Sequence, residues 1–136
     1  MTKAVFDLLE MSSNKSGVES IRQGLSVAAA DHLADTLAVP AAEFAHLLGI
    51  SLRTLMRHRQ SGQPLQPVVS DRLYRLARIT ALATEVFDDD VIVARAWLRR
   101  PNRVLAGAIP LELLDTDAGV EQVTQLLNRI EYGVYS

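Results

Sequence analysis

The sequence predicts an all-α protein, and three observations carry that prediction. Apolar residues recur at i, i+3, i+4 and i+7 in segment after segment, the spacing of one face of a helix. Residues that start helices stand just before those segments: Ser26, Pro40, Asp90 and Thr116. The stretch from Trp97 to Gly119 holds the only tryptophan, two of the five prolines and two of the seven glycines. That density of stops and starts, set between two amphipathic segments, marks a corner of a folded module.

The totals agree. A chain of 136 residues suffices for one domain or two small ones sharing a core, and 49% apolar with 22% charged residues is ordinary for a globular protein. No apolar run is long enough for a membrane span, and Asp7 interrupts the place where a signal peptide needs its apolar region. A cytoplasmic protein with no membrane partner is expected. Without cysteine there is no disulfide, thiolate metal site or cysteine nucleophile. The net charge of −2 is unevenly spread. Residues 49–78 carry Arg53, Arg57, Arg59, Arg72, Arg75 and Arg78 against Asp71 alone, whereas both flanking segments are acidic. A local basic surface between acidic ends suits an anionic partner.

Residues 1–25 read as a flexible N-terminal arm: Val5 to Met11 is short, and Ser12 to Gly17 has the composition of a connector. Ser26 caps a helix over 27–37, whose stripe is Ala30, Leu33, Ala34 and Leu37. Pro40 fits the first position of the next helix, with Ala41, Phe44, Ala45 and Leu48 on its stripe. Gly49 follows four residues after the small Ala45, the internal signature of a helix-turn-helix. The alanine permits close approach, and the glycine supplies the positive φ of the turn. A third helix over 51–60 turns Leu52, Leu55 and Met56 inward and Arg53, Thr54, Arg57 and His58 outward, with Arg59 at the rim. One face held by a core and the other free to enter a major groove is what a recognition helix requires. Arginine pairs with guanine edges or phosphates, and serine and threonine bond bases or backbone.

Gly62, Pro64 and Pro67 end that helix, and Ser70 is expected to cap a long one over 71–87. Its broad apolar face, Leu73, Leu76, Ala77, Thr80, Ala83 and Phe87 widened by Ile79, Leu82 and Val86, implies several packing neighbours. Asp88-Asp89-Asp90 lacks the spaced acids, central glycine and closing glutamate of a calcium loop, so Asp90 reads as the cap of a helix over 91–99. Trp97 on that helix is expected to anchor the core. Pro110 opens a short turn through Leu114, and Thr116 or Asp117 a last helix with the stripe Val120, Val123, Leu127 and Ile130. Gly133 ends it, leaving an aromatic tail.

No catalytic constellation stands out. His32, His46 and His58 are isolated, and no nucleophile-elbow, Walker or dinucleotide glycine pattern occurs. The chain is expected to be no enzyme and to need no cofactor or metal.

Leu73 to Arg78, Val86-Phe87, Ala94 to Asn102 with its W-L-x-x-P-N, Leu105 with Gly107, P-L-x-L-L-D-T from Pro110, and the closing Ile130-Glu131-Tyr132-Gly133 together resemble the toxin-binding domain of Xre/MbcA/ParS-type antitoxins. With the Xre-like helix-turn-helix at 40–60, the resemblance covers residues 26–136. It implies a helix-turn-helix DNA-binding module at 26–69 packed on a toxin-binding helical domain at 70–136. It also implies an antitoxin that shields the active site of a RES-domain, NAD-consuming toxin with its C-terminal end. Repression of its own operon, as a homodimer within a toxin–antitoxin hetero-oligomer, is implied too. By position, Ser51, Arg53, Thr54, Arg57 and His58 are the operator-DNA candidates, and Glu131, Tyr132, Val134, Tyr135 and Ser136 the toxin contacts. Trp97, Pro101, Asn102, Pro110 and Leu114 match the motif as residues that hold the fold. The alternative is a stand-alone dimeric helix-turn-helix transcription regulator without a toxin partner.

Overall fold

The structure, a computed structural model, describes residues 2–10 and 16–133; among these, all regular structure is helical. The α-helices are α1 (Thr2–Leu8), α2 (Gly17–Gln23), α3 (Val27–Leu37), α4 (Ala41–Leu48), α5 (Leu52–Ser61), α6 (Pro67–Val86), α7 (Val91–Leu98) and α8 (Asp117–Glu131). Two 3₁₀ segments, Arg103–Leu105 and Pro110–Asp115, lie between α7 and α8. Two compact units result, Met1–Arg78 and Ile79–Ser136. The boundary expected at 69/70 therefore falls later, inside α6, because that helix starts at Pro67 and runs on without a break.

In the N-terminal unit α3 is central, packing against α1, α4 and α5. Its stripe is buried as expected, with Leu33 and Leu37 fully enclosed, and the Ser26 hydroxyl accepts the Ala29 N–H as its cap. The flexible arm expected at 1–25 is corrected over its described residues; residues 11–15, with Ser12 to Lys15 of the expected connector, lie outside them. Val5, Phe6 and Leu9 are buried, and α1 lies on α3. Each such side chain contributes about 1.5–3 kcal/mol on burial, enough to hold a helix of two turns that propensity alone would leave unformed. The α2 end is fastened by polar contacts. The Leu25 N–H donates to the Ser70 hydroxyl at 2.8 Å, that hydroxyl donates to the Leu65 carbonyl at 3.1 Å, and the Leu65 N–H donates to the Leu25 carbonyl at 2.8 Å. Ser70 is thus a buried clasp inside α6 rather than its cap.

α3 ends on Ala38, held left-handed at φ 55° while the Val39 N–H reaches back to the Ala34 carbonyl. Alanine there costs about 1–2 kcal/mol that glycine avoids, less the ~0.4–1 kcal/mol of freedom glycine gains when unfolded. Ala38→Gly is accordingly expected to stabilise the unit by about 0.5–1 kcal/mol, read as a raised urea midpoint with an unchanged slope. A lowered midpoint would contradict it.

The C-terminal unit packs α7 and α8 against the Pro110–Asp115 segment. Asp90 caps α7 by accepting the Ile92 and Val93 N–H groups, and Thr116 caps α8 by accepting that of Gly119. Asn102 closes the corner after Pro101. Its side chain accepts the Val104 N–H, its N–H donates to the Ala108 carbonyl, and its carbonyl accepts the N–H groups of Leu105 and Gly107. Gly119 is buried where the first turn of α8 meets the Leu113 carbonyl, and a Cβ at Gly119 would overlap that oxygen. On α8, Val120, Val123, Leu126 and Leu127 are buried and Ile130 half-buried.

Candidate functional site

Two surfaces hold the residues singled out from sequence, one in each unit. The first is α4, its turn and α5. Ala45 is buried where α4 meets α5, and Gly49 takes φ 75°, with the Ile50 N–H bonding back to the Ala45 carbonyl. The helix-turn-helix geometry expected from Ala45 and Gly49 is present.

Within α5 the division into faces is sharper than expected. Only Leu55 is buried; Met56 is half-buried and Leu52 is 39% exposed, so the three-residue inward face is corrected to one residue and a rim. A short helix turned outward meets its neighbours along a narrow line, and little of it reaches the core. Arg53 and Arg57 are exposed on the opposite side. Ser51 is the N-cap of α5, accepting the Thr54 N–H at 3.0 Å, and its hydroxyl also donates to the Thr54 Oγ1. The Ser51 hydroxyl is thus occupied in starting the helix, and Thr54 Oγ1 also accepts from Arg57 Nη2 at 3.4 Å. His58 is half-buried and turned back, its Nδ1 3.2 Å from the Gln63 carbonyl. Arg59 forms a two-point pair with Asp31 of α3, which takes its charge off the outward face and braces α5 against α3. Both partners are about 40% exposed, so this pair fixes geometry more than it adds stability. Of the five candidates, Arg53 and Arg57 are the ones placed as an outward cationic pair.

A residue that periodicity does not single out positions this surface. Arg72 donates from Nη1 to the Leu48 carbonyl at 3.1 Å, at the C-terminal end of α4 and directly against Gly49. A cation suits a helix C-terminus, and here it braces the turn that aims α5. Nothing local in sequence signals it, since the partners are 24 residues apart.

The second surface belongs to the C-terminal unit. α8 ends at Glu131, which is exposed, and Tyr132 follows at 77% exposure. Val134, Tyr135 and Ser136 lie outside the described residues. Trp97, expected as a core anchor, is only half-buried. Its ring lies 5.8 Å from that of Phe87 at 46°, and the two line an open groove of about 260 Å³ with Val93, Arg100, Pro101 and Asn102. α7 buries Ala94 and Leu98 instead, which places Trp97 at the edge of its inward face. Among the described residues, no group of three or more histidine or carboxylate side chains is placed to hold a metal ion.

A helix-turn-helix unit followed by a separate helical unit defines a class of two-part regulator, and the comparisons specify which. Residues 16–78 match the antitoxin Xre-like helix-turn-helix domain, and residues 82–133 match the antitoxin Xre/MbcA/ParS C-terminal toxin-binding domain. Similar proteins include an antitoxin Xre of Yersinia enterocolitica, 34% identical over 119 residues, which are 88% of this chain and 80% of that one. An antitoxin Xre of Pseudomonas putida is 40% identical over 84 residues, 62% of this chain and 52% of that one. A Prs ADP-ribosylating antitoxin of a Sphingobium species is 29% identical over 98 residues, 65% of this chain and 61% of that one. The chain belongs to the Xre antitoxin family. It is an antitoxin of a toxin–antitoxin system, with a helix-turn-helix domain and a toxin-binding domain.

Proposed function

We propose that this antitoxin neutralises a RES-domain, NAD-consuming toxin by laying its C-terminal end over the toxin's active site. It represses its own operon through α5, acts in the cytoplasm, and does so as a homodimer within a toxin–antitoxin hetero-oligomer. It performs no catalysis itself; inhibition by occlusion requires shape and contact area, not a reactive group. The observation that carries this reading is the end of α8: Glu131 and Tyr132 stand exposed where the matched toxin-binding domain finishes. A large exposed aromatic at a helix end is an anchor awaiting a partner surface. The Sphingobium relative's name joins ADP-ribosylation to an antitoxin, and ADP-ribosyl transfer is chemistry on NAD, which favours an NAD-consuming target. Toxin contacts are assigned to Glu131, Tyr132, Val134, Tyr135 and Ser136, and DNA contacts to Arg53 and Arg57, with Ser51, Thr54 and His58 in support.

Deleting residues 131–136 is expected to release NAD consumption by the co-expressed product of the neighbouring reading frame. Helical circular dichroism should be unchanged, because the deletion starts at the last residue of α8. Full neutralisation by the shortened chain would sink the occlusion mechanism. A neighbouring product that neither co-purifies nor consumes NAD would instead favour the stand-alone regulator.

A further inference from the structure

We propose that the Phe87–Trp97 groove is a second toxin contact, a grip separate from the C-terminal end, which holds an apolar side chain carried on an acidic segment of the toxin. The inference rests on the antitoxin reading and deepens it. The groove lies within the matched toxin-binding domain, residues 82–133. Its lining is apolar at Phe87, Val93, Trp97 and Pro101 and polar at Arg100 and Asn102. Large exposed apolar side chains also fall beside its lining residues in sequence: Ile92 at 63% next to Val93, itself 44% exposed, and Val104 at 52% two residues after Asn102. Exposed apolar residues gathered at one place and rimmed by polar ones mark interaction surfaces, and tryptophan with arginine makes up their energetic centres.

Charge identifies the occupant. Between Asp90 and Glu112 there is no acidic residue, while Arg100, which lines the groove, and Arg103 are exposed there. The segments on either side are acidic: Glu85 and Asp88 to Asp90 before, Glu112, Asp115, Asp117 and Glu121 after. A cationic, apolar surface set in an acidic unit selects a partner surface that is anionic and apolar together. Duplex DNA offers charge but leaves Ile92, Val93 and Val104 exposed without purpose. At about 260 Å³ the groove is smaller than the ~300–1,000 Å³ of small-molecule sites and suits one protein side chain.

The only tryptophan of the chain supplies the probe. Full-length antitoxin carrying 5-fluorotryptophan at Trp97 is titrated with the purified toxin and followed by fluorine resonance and by acrylamide shielding of the ring. The resonance is expected to move and the ring to become shielded. Arg100→Glu/Arg103→Glu and, separately, Val93→Glu are each expected to weaken toxin binding at least tenfold, more so at low salt for the arginine pair. All three positions are exposed, so circular dichroism and operator binding should stay as in the wild type. A chain lacking residues 131–136 is expected to keep the shift at Trp97 while losing neutralisation, which separates grip from plug. Wild-type binding with an unmoved resonance and variants of full affinity would overturn the grip and leave the antitoxin reading standing. No toxin binding by the wild type would overturn both. A shift produced by raising antitoxin concentration alone, or by operator DNA alone, overturns the proposal in favour of a second copy or of nucleic acid.

Discussion

Gly119→Ala is expected to destabilise the C-terminal unit by about 3 kcal/mol, against the sign that helix propensity predicts. Gly119 lies in the first turn of α8 with ordinary helical geometry, and alanine there would normally gain about 1 kcal/mol. The buried contact reverses this. The added Cβ would overlap the carbonyl oxygen of Leu113 and press on its Cβ, and neither the helix backbone nor a carbonyl in the Pro110–Asp115 segment is a flexible side-chain end that swings aside. Relief means separating α8 from that segment, which also strains the Thr116 cap and opens the packing around Leu111, Leu114 and Val120. Trp97 belongs to the same unit and reports the event: its fluorescence should shift to the red at a lower temperature than in the wild type. Toxin binding should fall with it. A raised melting temperature would show that the approach to Leu113 is not what fixes glycine at this place.

Most helices are legible in the sequence because their signals are local. The Ser26, Asp90 and Thr116 caps, the apolar stripes of α3, α4 and α8, and the Ala45–Gly49 turn all depend on residues within one or two turns of each other. Several of the features that sequence misplaces depend on how an element packs, and often on a contact distant in the chain. Val5 and Phe6 of α1, with Leu9 after it, are buried in the unit where α1 packs on α3, and a short apolar run read alone looks like an arm. Ser70 has every attribute of a helix cap, yet its hydroxyl is claimed by Leu25, 45 residues earlier. Trp97 looks like a core residue by type, and only the packing of Ala94 and Leu98 shows that its ring is left at the edge. The site follows the same rule. Periodicity separates Arg53 and Arg57 from Leu55, but it cannot reveal that Arg59 is paired with Asp31 or that Arg72 braces the turn.

The pairings around α5 focus the expectation for DNA. Arg53→Ala/Arg57→Ala is expected to weaken operator binding by roughly 30-fold or more, since withdrawing one guanidinium from a base edge costs about 1–3 kcal/mol. Ser51 spends its hydroxyl on the α5 cap, and Arg59 spends its charge on Asp31, so the two exposed arginines carry the outward face of the helix. The salt dependence tells which groups they meet. Neutralised phosphates would show as a logarithmic slope shallower by about 0.9 for each arginine removed, with the preference for operator over random DNA retained. Guanine edges would show as a collapse of that preference with the slope little changed. Both arginines are surface residues remote in sequence from residues 82–133, so neutralisation of the toxin should persist in the double variant and supplies its control. Operator retardation equal to that of the wild type would mean that α5 does not present its Arg53–Arg57 face to the groove, and the reading face would then have to be sought elsewhere on the basic segment between residues 49 and 78.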